Sequence, residues 1–279
     1  MAEKIIEAKN IVFGYDPAVP IVKDLSLTIE RGEFVAILGT NGAGKTTAVK
    51  TLNGLLRPQS GEIYIKGKNS REMTTKQISE VVGYCYQNPD HQIFSETVEE
   101  EVEFGLKNRN VPVDERDRII DESLKLVGLE GFRKEAPYAL GKGERQKLAV
   151  ASILALRPEV IIVDEPTTGL DYKDTKNIFD LLKQLVDNGM TCLIITHNLY
   201  VVEEYVDRTI LINDGKILAD GKTGEVLKMS KELKESNVGN LFLTEIVDAL
   251  NEKYHTNFER YLKVDDFVEA LAKKKGKQS

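Results

Sequence analysis

The chain has 279 residues, of which 41% are hydrophobic, and it carries a formal net charge of −7 with a pI of about 5.3. This length and composition are typical of one large globular domain with a smaller one. With this acidic balance the chain has no global basic surface of the kind that indicates nucleic-acid binding, which leaves only local basic patches as an alternative. No apolar run reaches the roughly 20 residues of a membrane-spanning helix, and MAEKIIEAKN lacks a signal-peptide core, so we expect a cytosolic chain.

Short β-type segments dominate the first third of the chain. The runs IIEAKNIVFGY, LSLTIERGE, FVAIL and GEIYIKG predict strands separated by glycine-rich turns. Cys85 and Cys192 lie in the strand-like runs VVGYCYQ and TCLIITH, where we expect reduced, buried thiols. Two cysteines and three scattered histidines form no zinc-spaced cluster.

The pattern becomes helical from about Val98 to Leu140, in VEEEVEFGLKN and ERDRIIDESLKLVGL. We interpret this stretch as a helical insertion between strands. A helix over 143–156 is then followed by VIIVDE, a helix near TKNIFDLLKQLVDN, TCLIITH, a short helix and TILIND. Apolar strands that alternate with helices predict an α/β fold with a mostly parallel sheet covered on both faces.

The last part of the chain, from about Gly224, is polar and helical. TEIVDALNEK and DDFVEALAKK share a pattern, which indicates either two packed amphipathic helices or a chance similarity. The final KKKGKQS is expected to be a solvated tail. We therefore expect one domain over 1–222, with its helical insertion at about 88–142, and a helical C-terminal domain over 223–279.

A phosphate-binding loop is predicted by GTNGAGKTT, which fits G-x-x-x-x-G-K-[ST] between the strand FVAIL and the helix TAVKTLNG. Backbone N–H groups of such a loop face nucleotide phosphates, Lys45 reaches the β and γ phosphates, and Thr46 offers its hydroxyl to Mg²⁺. The alternative is a chance glycine-rich turn, which the flanking strand and helix disfavour. The expected nucleotide-binding positions are Gly39, Thr40, Asn41, Gly42, Ala43, Gly44, Lys45, Thr46 and Thr47.

Two acidic side chains end the apolar run VIIVDEPTTGLD. Asp164 is placed to hold the metal through water, and Glu165 to orient or deprotonate an attacking water. Adjacent acids at a strand end are otherwise a common turn feature, but here they follow a phosphate-binding loop. The guanine-reading tetrapeptide N-K-x-D is absent from the sequence, which favours ATP over GTP.

These motifs, in this order, resemble the nucleotide-binding subunits of ATP-binding cassette (ABC) transporters over about residues 3–220. The resemblance implies that Tyr15 stacks on adenine, although an ordinary strand tyrosine is the alternative. It implies that Gln87 senses Mg²⁺ and the attacking water, so that Thr46, Gln87 and Asp164 are the expected metal positions. It also implies that His197 contacts the γ-phosphate. Asp171, in TTGLD, matches a loop that crosses between two subunits.

The segment ALGKGERQ stands where that family carries L-S-G-G-Q, which reaches across a dimer to the γ-phosphate bound on the other chain. Gly141, Lys142 and Gly143 are therefore expected to bind nucleotide, whereas a plain turn into a helix is the alternative. Gly141 replaces the serine, Lys142 the first glycine and Glu144 the glutamine. Losing a hydroxyl bond to a charged phosphate costs about 1.5–3 kcal/mol. Lys142 either points inward and restores some anion affinity or is solvated.

A narrower resemblance lies in QNPDHQIFSETVEEEVEFGLKN and in the C-terminal DDFVEAL, which look like the ATPases of energy-coupling factor transporters. Those transporters import cobalt, nickel and vitamins. The resemblance implies that the helix after the Gln87 loop touches a transmembrane coupling protein. An acidic face there is interpreted either as a receptor for arginines of that partner or as an ordinary solvated surface. Its residues are Glu99, Glu100, Glu101 and Glu103.

The implied assembly has two cassettes that sandwich two ATP molecules, as a homodimer or a heterodimer. Its other partners are a transmembrane coupling subunit and a substrate-binding membrane subunit, with no nucleic acid. The chain would then lie at the cytoplasmic face of the cell membrane as a peripheral ATPase. The alternative is a soluble ABC ATPase that is not coupled to transport. A DNA-repair type would need a long coiled-coil insertion, and a translation-associated type would need two cassettes, whereas this chain has a single P-loop.

Overall fold

The computed structural model describes residues 3–275. Within those residues the strands are β1 Lys4–Phe13, β2 Val22–Glu30, β3 Phe34–Leu38, β4 Ser60–Ile65, β5 Lys68–Asn69, β6 Val82–Cys85, β7 Val160–Asp164, β8 Thr191–Ile195, β9 Arg208–Asn213 and β10 Lys216–Lys222. The helices are α1 Lys45–Leu52, α2 Thr75–Ser79, α3 Val98–Asn108, α4 Val113–Val127, α5 Lys142–Leu154, α6 Tyr172–Asp187, α7 Leu199–Tyr205, α8 Thr223–Val226, α9 Ser230–Glu235, α10 Phe242–Tyr254 and α11 Val264–Lys275.

A six-stranded sheet in the order β10-β9-β3-β8-β7-β6 forms the centre of the molecule. Its pairs are parallel except for β10 with β9. Strands β3, β7 and β8 are buried at every position, as expected for parallel strands covered by structure on both faces. The predicted α/β fold with a mostly parallel sheet is confirmed, whereas β10 was missed because its run KILADGK is interrupted by polar residues.

A second sheet, in the order β2-β1-β4-β5, is antiparallel throughout. Its inner face contributes residues such as Ile5, Ile11 and Leu25 to a buried apolar cluster shared with α1 and one face of the central sheet. The opposite face of the central sheet is covered by a second cluster, to which α3, α4, α5 and α6 contribute. These two clusters fix the ends of β3 and β7 relative to each other, and the site lies at those ends.

The helical insertion is formed by α3 and α4, which pack on α5. Buried apolar side chains such as Val102, Leu106 and Leu124 make this contact. Helix α3 begins with a capping box in which Thr97 and Glu100 satisfy each other's backbone N–H groups. Helix α5 therefore joins the insertion to the central sheet.

Past β10, α8 to α11 follow one another along the chain. Leu233 and Leu241 belong to the main apolar core, so this segment begins packed on the central domain. Arg260 donates to both oxygens of Asp248, at 3.0 and 2.6 Å, and to the carbonyl of Lys228. The boundary at 222/223 stays a prediction. The expected solvated tail is helical through Lys275, and its last part, residues 276–279, lies outside the described residues.

Among residues 3–275, no helix has both the length and the apolar character needed to cross a membrane. Cys85 and Cys192 are free and buried in the central sheet. Burial raises the pKa of the Cys85 thiol to about 12, so this thiol stays protonated near neutral pH.

Candidate nucleotide-binding site

The predicted phosphate-binding loop connects the buried strand β3 to helix α1. A Cβ atom on Gly39 would collide with the carbonyl oxygen of Ile212 on the neighbouring strand. Gly44 has φ +95° at the start of α1, and a Cβ there would lie 2.9 Å from the carbonyl oxygen of Ile21. Only glycine fits these two positions, and the bare backbone N–H groups at a helix start form a cradle that suits phosphate.

Lys45 is buried at the beginning of α1. Its ammonium donates to the carbonyl oxygens of Gly39 and Thr40, at 2.8 and 2.9 Å. Burial lowers its pKa, and the nearby carboxylates of Glu165 and Asp164 oppose that shift. The loop therefore curls around its own lysine, which places a desolvated positive charge beside the cradle.

Asp164, only 3% exposed, ends β7 next to this lysine. Its Oδ2 accepts hydrogen bonds from Thr46 Oγ1 at 2.9 Å and from the Tyr84 hydroxyl at 2.8 Å. Its Oδ1 is buried and has no hydrogen-bond partner among the described residues. A hydroxyl oxygen beside an unsatisfied carboxylate oxygen is the donor set that Mg²⁺ prefers, so these residues fit the metal.

Glu165 follows directly and has φ +46°, an unusual conformation for a residue with a side chain. Its backbone N–H donates to the carbonyl oxygen of Ile195 at 2.8 Å, which ties the turn to the end of β8. His197 Nδ1 lies 2.9 and 3.0 Å from the two carboxylate oxygens of Glu165. The structure thus holds a buried carboxylate against an imidazole, the relationship that proton transfer requires.

One cleft, hereafter the P-loop cleft, collects much of the predicted site. The loop contributes Asn41, Gly42 and residues 44–47, and Gln87 and Glu165 line the same cleft. Tyr15 is an exposed side chain outside this lining, with its ring in edge-to-face contact with Phe13 at 5.3 Å. An exposed aromatic ring is accessible for stacking, so the adenine role of Tyr15 stays a prediction.

The predicted signature turn does not join the P-loop cleft within one chain. The Gly141 N–H donates to Glu144 Oε2 at 2.8 Å, so the chain's own carboxylate caps the first turn of α5. Gly143 is buried against Asp174: a Cβ built on it would lie 2.5 Å from Asp174 Oδ2. The exposed Lys142 extends its ammonium to Gly169, in the loop before α6, and not into the P-loop cleft.

Asp171 also stands apart from the P-loop cleft. It is the N-cap of α6, where its Oδ1 accepts a hydrogen bond from the Asp174 N–H at 2.8 Å. Since Asp174 also contacts Gly143, the predicted intersubunit loop and the signature turn form one continuous surface. The structure therefore places most of the predicted residues in two groups, one at the P-loop cleft and one on this second surface, and Tyr15 in neither.

The acidic face of α3 has partners inside the chain. Glu99 pairs with Arg133 at 2.7 Å and with Lys134. Glu103 pairs with Lys107 and Arg116, and the buried Glu101 accepts the N–H groups of Phe94 and Ser95. Glu100 completes the capping box. All four carboxylates thus have partners inside the chain and are not a plain solvated face, whereas their contact with arginines of a membrane partner stays a prediction.

Two contacts were not predicted from the sequence: the hydrogen bond from Tyr84 to Asp164, and the capping of α5 by Glu144. Tyr84 belongs to no motif with a required spacing, and Glu144 was considered only as a replacement within the signature segment. The available signals were weak: a tyrosine in a buried strand needs a hydrogen-bond partner, and a Glu three residues after a helix start often caps it.

The profile of the ABC transporter family matches residues 22–168, more than half of the chain. The energy-coupling factor transporter ATP-binding protein EcfA of Methanocaldococcus jannaschii is 39% identical over 251 residues, which cover 89% of this chain and 90% of that protein. The chain belongs to the ABC transporter family. The resemblance read from its motifs is thereby confirmed.

Two solved structures extend the comparison of this ABC protein. The cbiO1 protein from Clostridium perfringens, described as part of the ABC transporter complex cbiONQ, has a TM-score of 0.77 at 31% identity and matches 90% of this chain and 96% of its own. The ATP-binding cassette MJ0796, in a dimeric post-hydrolysis state bound to ADP and Pi, has a TM-score of 0.70 at 30% identity, over 78% and 98% of the chains. Other relatives are longer: the chain spans 41% and 37% of the length of two curated proteins that it matches.

Proposed function

We propose that this ABC protein hydrolyses Mg²⁺-bound ATP to power an energy-coupling factor type importer of metal ions or vitamins. The observation that carries the hydrolytic part is the P-loop cleft, in which the phosphate cradle, a buried lysine and the Glu165 carboxylate meet. The names of the EcfA and cbiO1 relatives support the importer part. The alternative remains a soluble ABC ATPase that is not coupled to transport.

We assign a role to each residue in or beside the cleft from its position. The ammonium of Lys45 offsets phosphate charge from a site already stripped of water. Glu165 accepts the proton of the attacking water, and His197 holds the Glu165 carboxylate in place through Nδ1. Gln87, at the mouth of the same cleft, orients that water.

Thr46, Asp164 and Gln87 are the residues that would hold Mg²⁺. The metal, when bound, neutralises charge on the β and γ phosphates. Thr46 donates its hydroxyl hydrogen bond to Asp164 Oδ2, which leaves the hydroxyl oxygen free to face the metal. The unpartnered Oδ1 of Asp164 would supply the second oxygen, directly or through water.

Completion of the site by a second ABC chain is supported by the two separate groups of residues. Gly141, Lys142, Gly143 and Asp171 form a surface that contributes nothing to the P-loop cleft of their own chain. In a two-fold dimer each such surface would cover the cleft of the other chain, which gives two equivalent sites. Helix α5 would then direct its N-terminal N–H groups at the bound phosphates.

Coupling to a membrane subunit is supported by an apolar groove between α3 and the central domain. Phe94 and Phe104 are exposed there and contact each other edge to face at 4.7 Å. Gln92, five residues after Gln87, donates to Ala149 O at 2.8 Å on α5. A helix of a transmembrane coupling subunit seated on this groove would therefore touch the segment that follows Gln87 of the cleft. The same segment is hydrogen-bonded to α5, the helix that begins at the signature turn. In this proposal the chain lies peripherally at the cytoplasmic face, with a substrate-binding membrane subunit beside the coupling subunit.

The importer proposal is tested by uptake into vesicles that contain this chain together with a transmembrane coupling subunit and a substrate-binding membrane subunit. Labelled Co²⁺, Ni²⁺ and vitamins are offered with ATP inside or outside. We expect Phe94→Glu to abolish ATP-driven uptake of one of them and to leave ATP affinity unchanged, because a charge in the groove opposes apolar docking. Tyr254→Glu is the matched control, since Tyr254 is exposed to a similar degree, 62% against 64% for Phe94, but lies on α10.

Two results would contradict the importer proposal. One is ATP hydrolysis that persists without ATP-driven uptake of any member of the panel, which would favour the soluble ABC ATPase. The other is full uptake by the Phe94→Glu variant, which would place the membrane contact elsewhere.

A further inference from the structure

Tyr84 is a buried tyrosine whose hydroxyl reaches the candidate metal site from the neighbouring strand. Tyr84 on β6 is paired with Ile162 on β7, and Asp164 lies two residues beyond Ile162. Because side chains two residues apart on a strand share a face, the tyrosine ring and the carboxylate project to the same side of the sheet. The Tyr84 hydroxyl then lies 2.8 Å from Asp164 Oδ2.

The Asp164 carboxylate is bonded unequally at its two oxygens. Oδ2 accepts from both Tyr84 and Thr46, whereas Oδ1 is buried without a hydrogen-bond partner in residues 3–275. Thr46 is itself a proposed metal ligand. Of the two side-chain donors found for Asp164, Tyr84 is therefore the one that is not itself a proposed metal ligand.

The protonation of Tyr84 is fixed by its surroundings. Burial raises the pKa of its hydroxyl, and the neighbouring Asp164 charge raises it further. In the structure the hydroxyl is the donor of this hydrogen bond, and the Asp164 carboxylate oxygen is the acceptor.

We propose that Tyr84 is a positioning residue for metal binding, whose hydroxyl holds Asp164 Oδ2 and leaves Oδ1 oriented to serve Mg²⁺. The inference rests on the proposed Mg²⁺-ATP site and adds to it a residue outside every motif. Residues that orient a ligand in this way typically change metal affinity by about 10- to 100-fold when they are removed. Removal of the Tyr84 hydroxyl should leave the affinity for metal-free nucleotide largely intact, because Tyr84 does not line the P-loop cleft.

Tyr86 supplies a matched control two residues along the chain. Its ring contacts that of Tyr84 edge to face, with the ring centres 5.0 Å apart. The ammonium of Lys50 lies over the Tyr86 ring, 5.9 Å from the ring centre. No hydrogen bond of its hydroxyl is found in the described part of the chain. Tyr86→Phe therefore removes a hydroxyl from the same aromatic pair without touching Asp164.

The experiment measures binding of a fluorescent ATP analogue to the full chain, in EDTA and over a series of free Mg²⁺ concentrations. We expect Tyr84→Phe to raise the half-saturating Mg²⁺ concentration by about tenfold and to change the EDTA affinity by less than about twofold. Tyr86→Phe should match the unmodified chain in both. Unfolding midpoints recorded without nucleotide check the fold, and Tyr84→Met repeats the test if the phenylalanine variant is unstable, because methionine fills irregular space without a hydroxyl.

The outcomes separate this inference from the proposed function. An unmodified chain whose ATP affinity does not respond to Mg²⁺ would overturn the Mg²⁺-ATP site itself and the inference with it. A normal Mg²⁺ response that Tyr84→Phe leaves within twofold, or that Tyr86→Phe weakens equally, would overturn the role of Tyr84 alone.

Discussion

The P-loop cleft and the signature turn differ in how completely one chain builds them. Around the cleft, Lys45, Asp164 and Glu165 are buried and bonded to backbone or side-chain groups of the same chain. At the signature turn, Gly141 and Lys142 are exposed, and the turn is capped by the chain's own Glu144. The packing of the core therefore holds the cleft residues in position without a ligand, whereas the residues of the signature turn lie on the surface of the chain.

The contrast follows from where each region lies in the fold. The cleft is formed at the ends of β3, β7 and β8, which are fully buried strands whose registers are fixed by their neighbours. The turn begins α5, whose other residues pack against the insertion and the sheet while its N-terminus faces outward. This difference supports the proposal that catalytic groups lie in the cleft and that the turn contacts another chain.

The largest effect is expected from Glu165→Gln in the cleft. The variant keeps the shape of the side chain but removes the proton acceptor, so hydrolysis should fall by about 10²- to 10⁴-fold while ATP still binds. Phosphate release and ATP affinity are measured together. Glu159→Gln, at the residue just before the same strand, is the control. A loss below tenfold for Glu165→Gln would remove Glu165 from the chemistry.

A smaller effect is expected from Glu144→Gln at the signature turn. The amide oxygen can still accept the Gly141 N–H, but the negative charge at the start of α5 is gone. Removing a charge at a helix N-terminus changes an interaction there by about 0.3–1 kcal/mol, so a phosphate brought to this turn should bind about two- to fivefold better. We expect hydrolysis to rise at low ATP and ATP affinity of the isolated chain to stay constant. An unchanged hydrolysis rate would mean that the turn does not meet phosphate.

Local motifs made the cleft predictable from sequence. The glycines of residues 39–47 and the pair Asp164 and Glu165 specify backbone shape and charge over a few residues, and a buried apolar strand before each places them at a sheet end. The α/β fold followed from the same alternation of strands and helices.

Contacts between distant segments could not be predicted in this way. Tyr84 meets Asp164 from 80 residues away, and Glu99 meets Arg133 from 34 residues away. A charge run such as that of α3 looks open in the sequence because its partners are brought there only by the packing of the insertion. The polar residues that interrupt the run of β10 likewise hid a strand, which exists because it pairs with β9.

The most direct test of the account is the specific ATPase activity of the purified chain over a range of protein concentrations, with Glu165→Gln subtracted as the blank. If the signature turn of one chain completes the cleft of another, activity per molecule should rise with concentration and reach a plateau as dimers form. Activity per molecule that is constant down to high dilution would contradict the account, because the cleft would then be complete within a single chain.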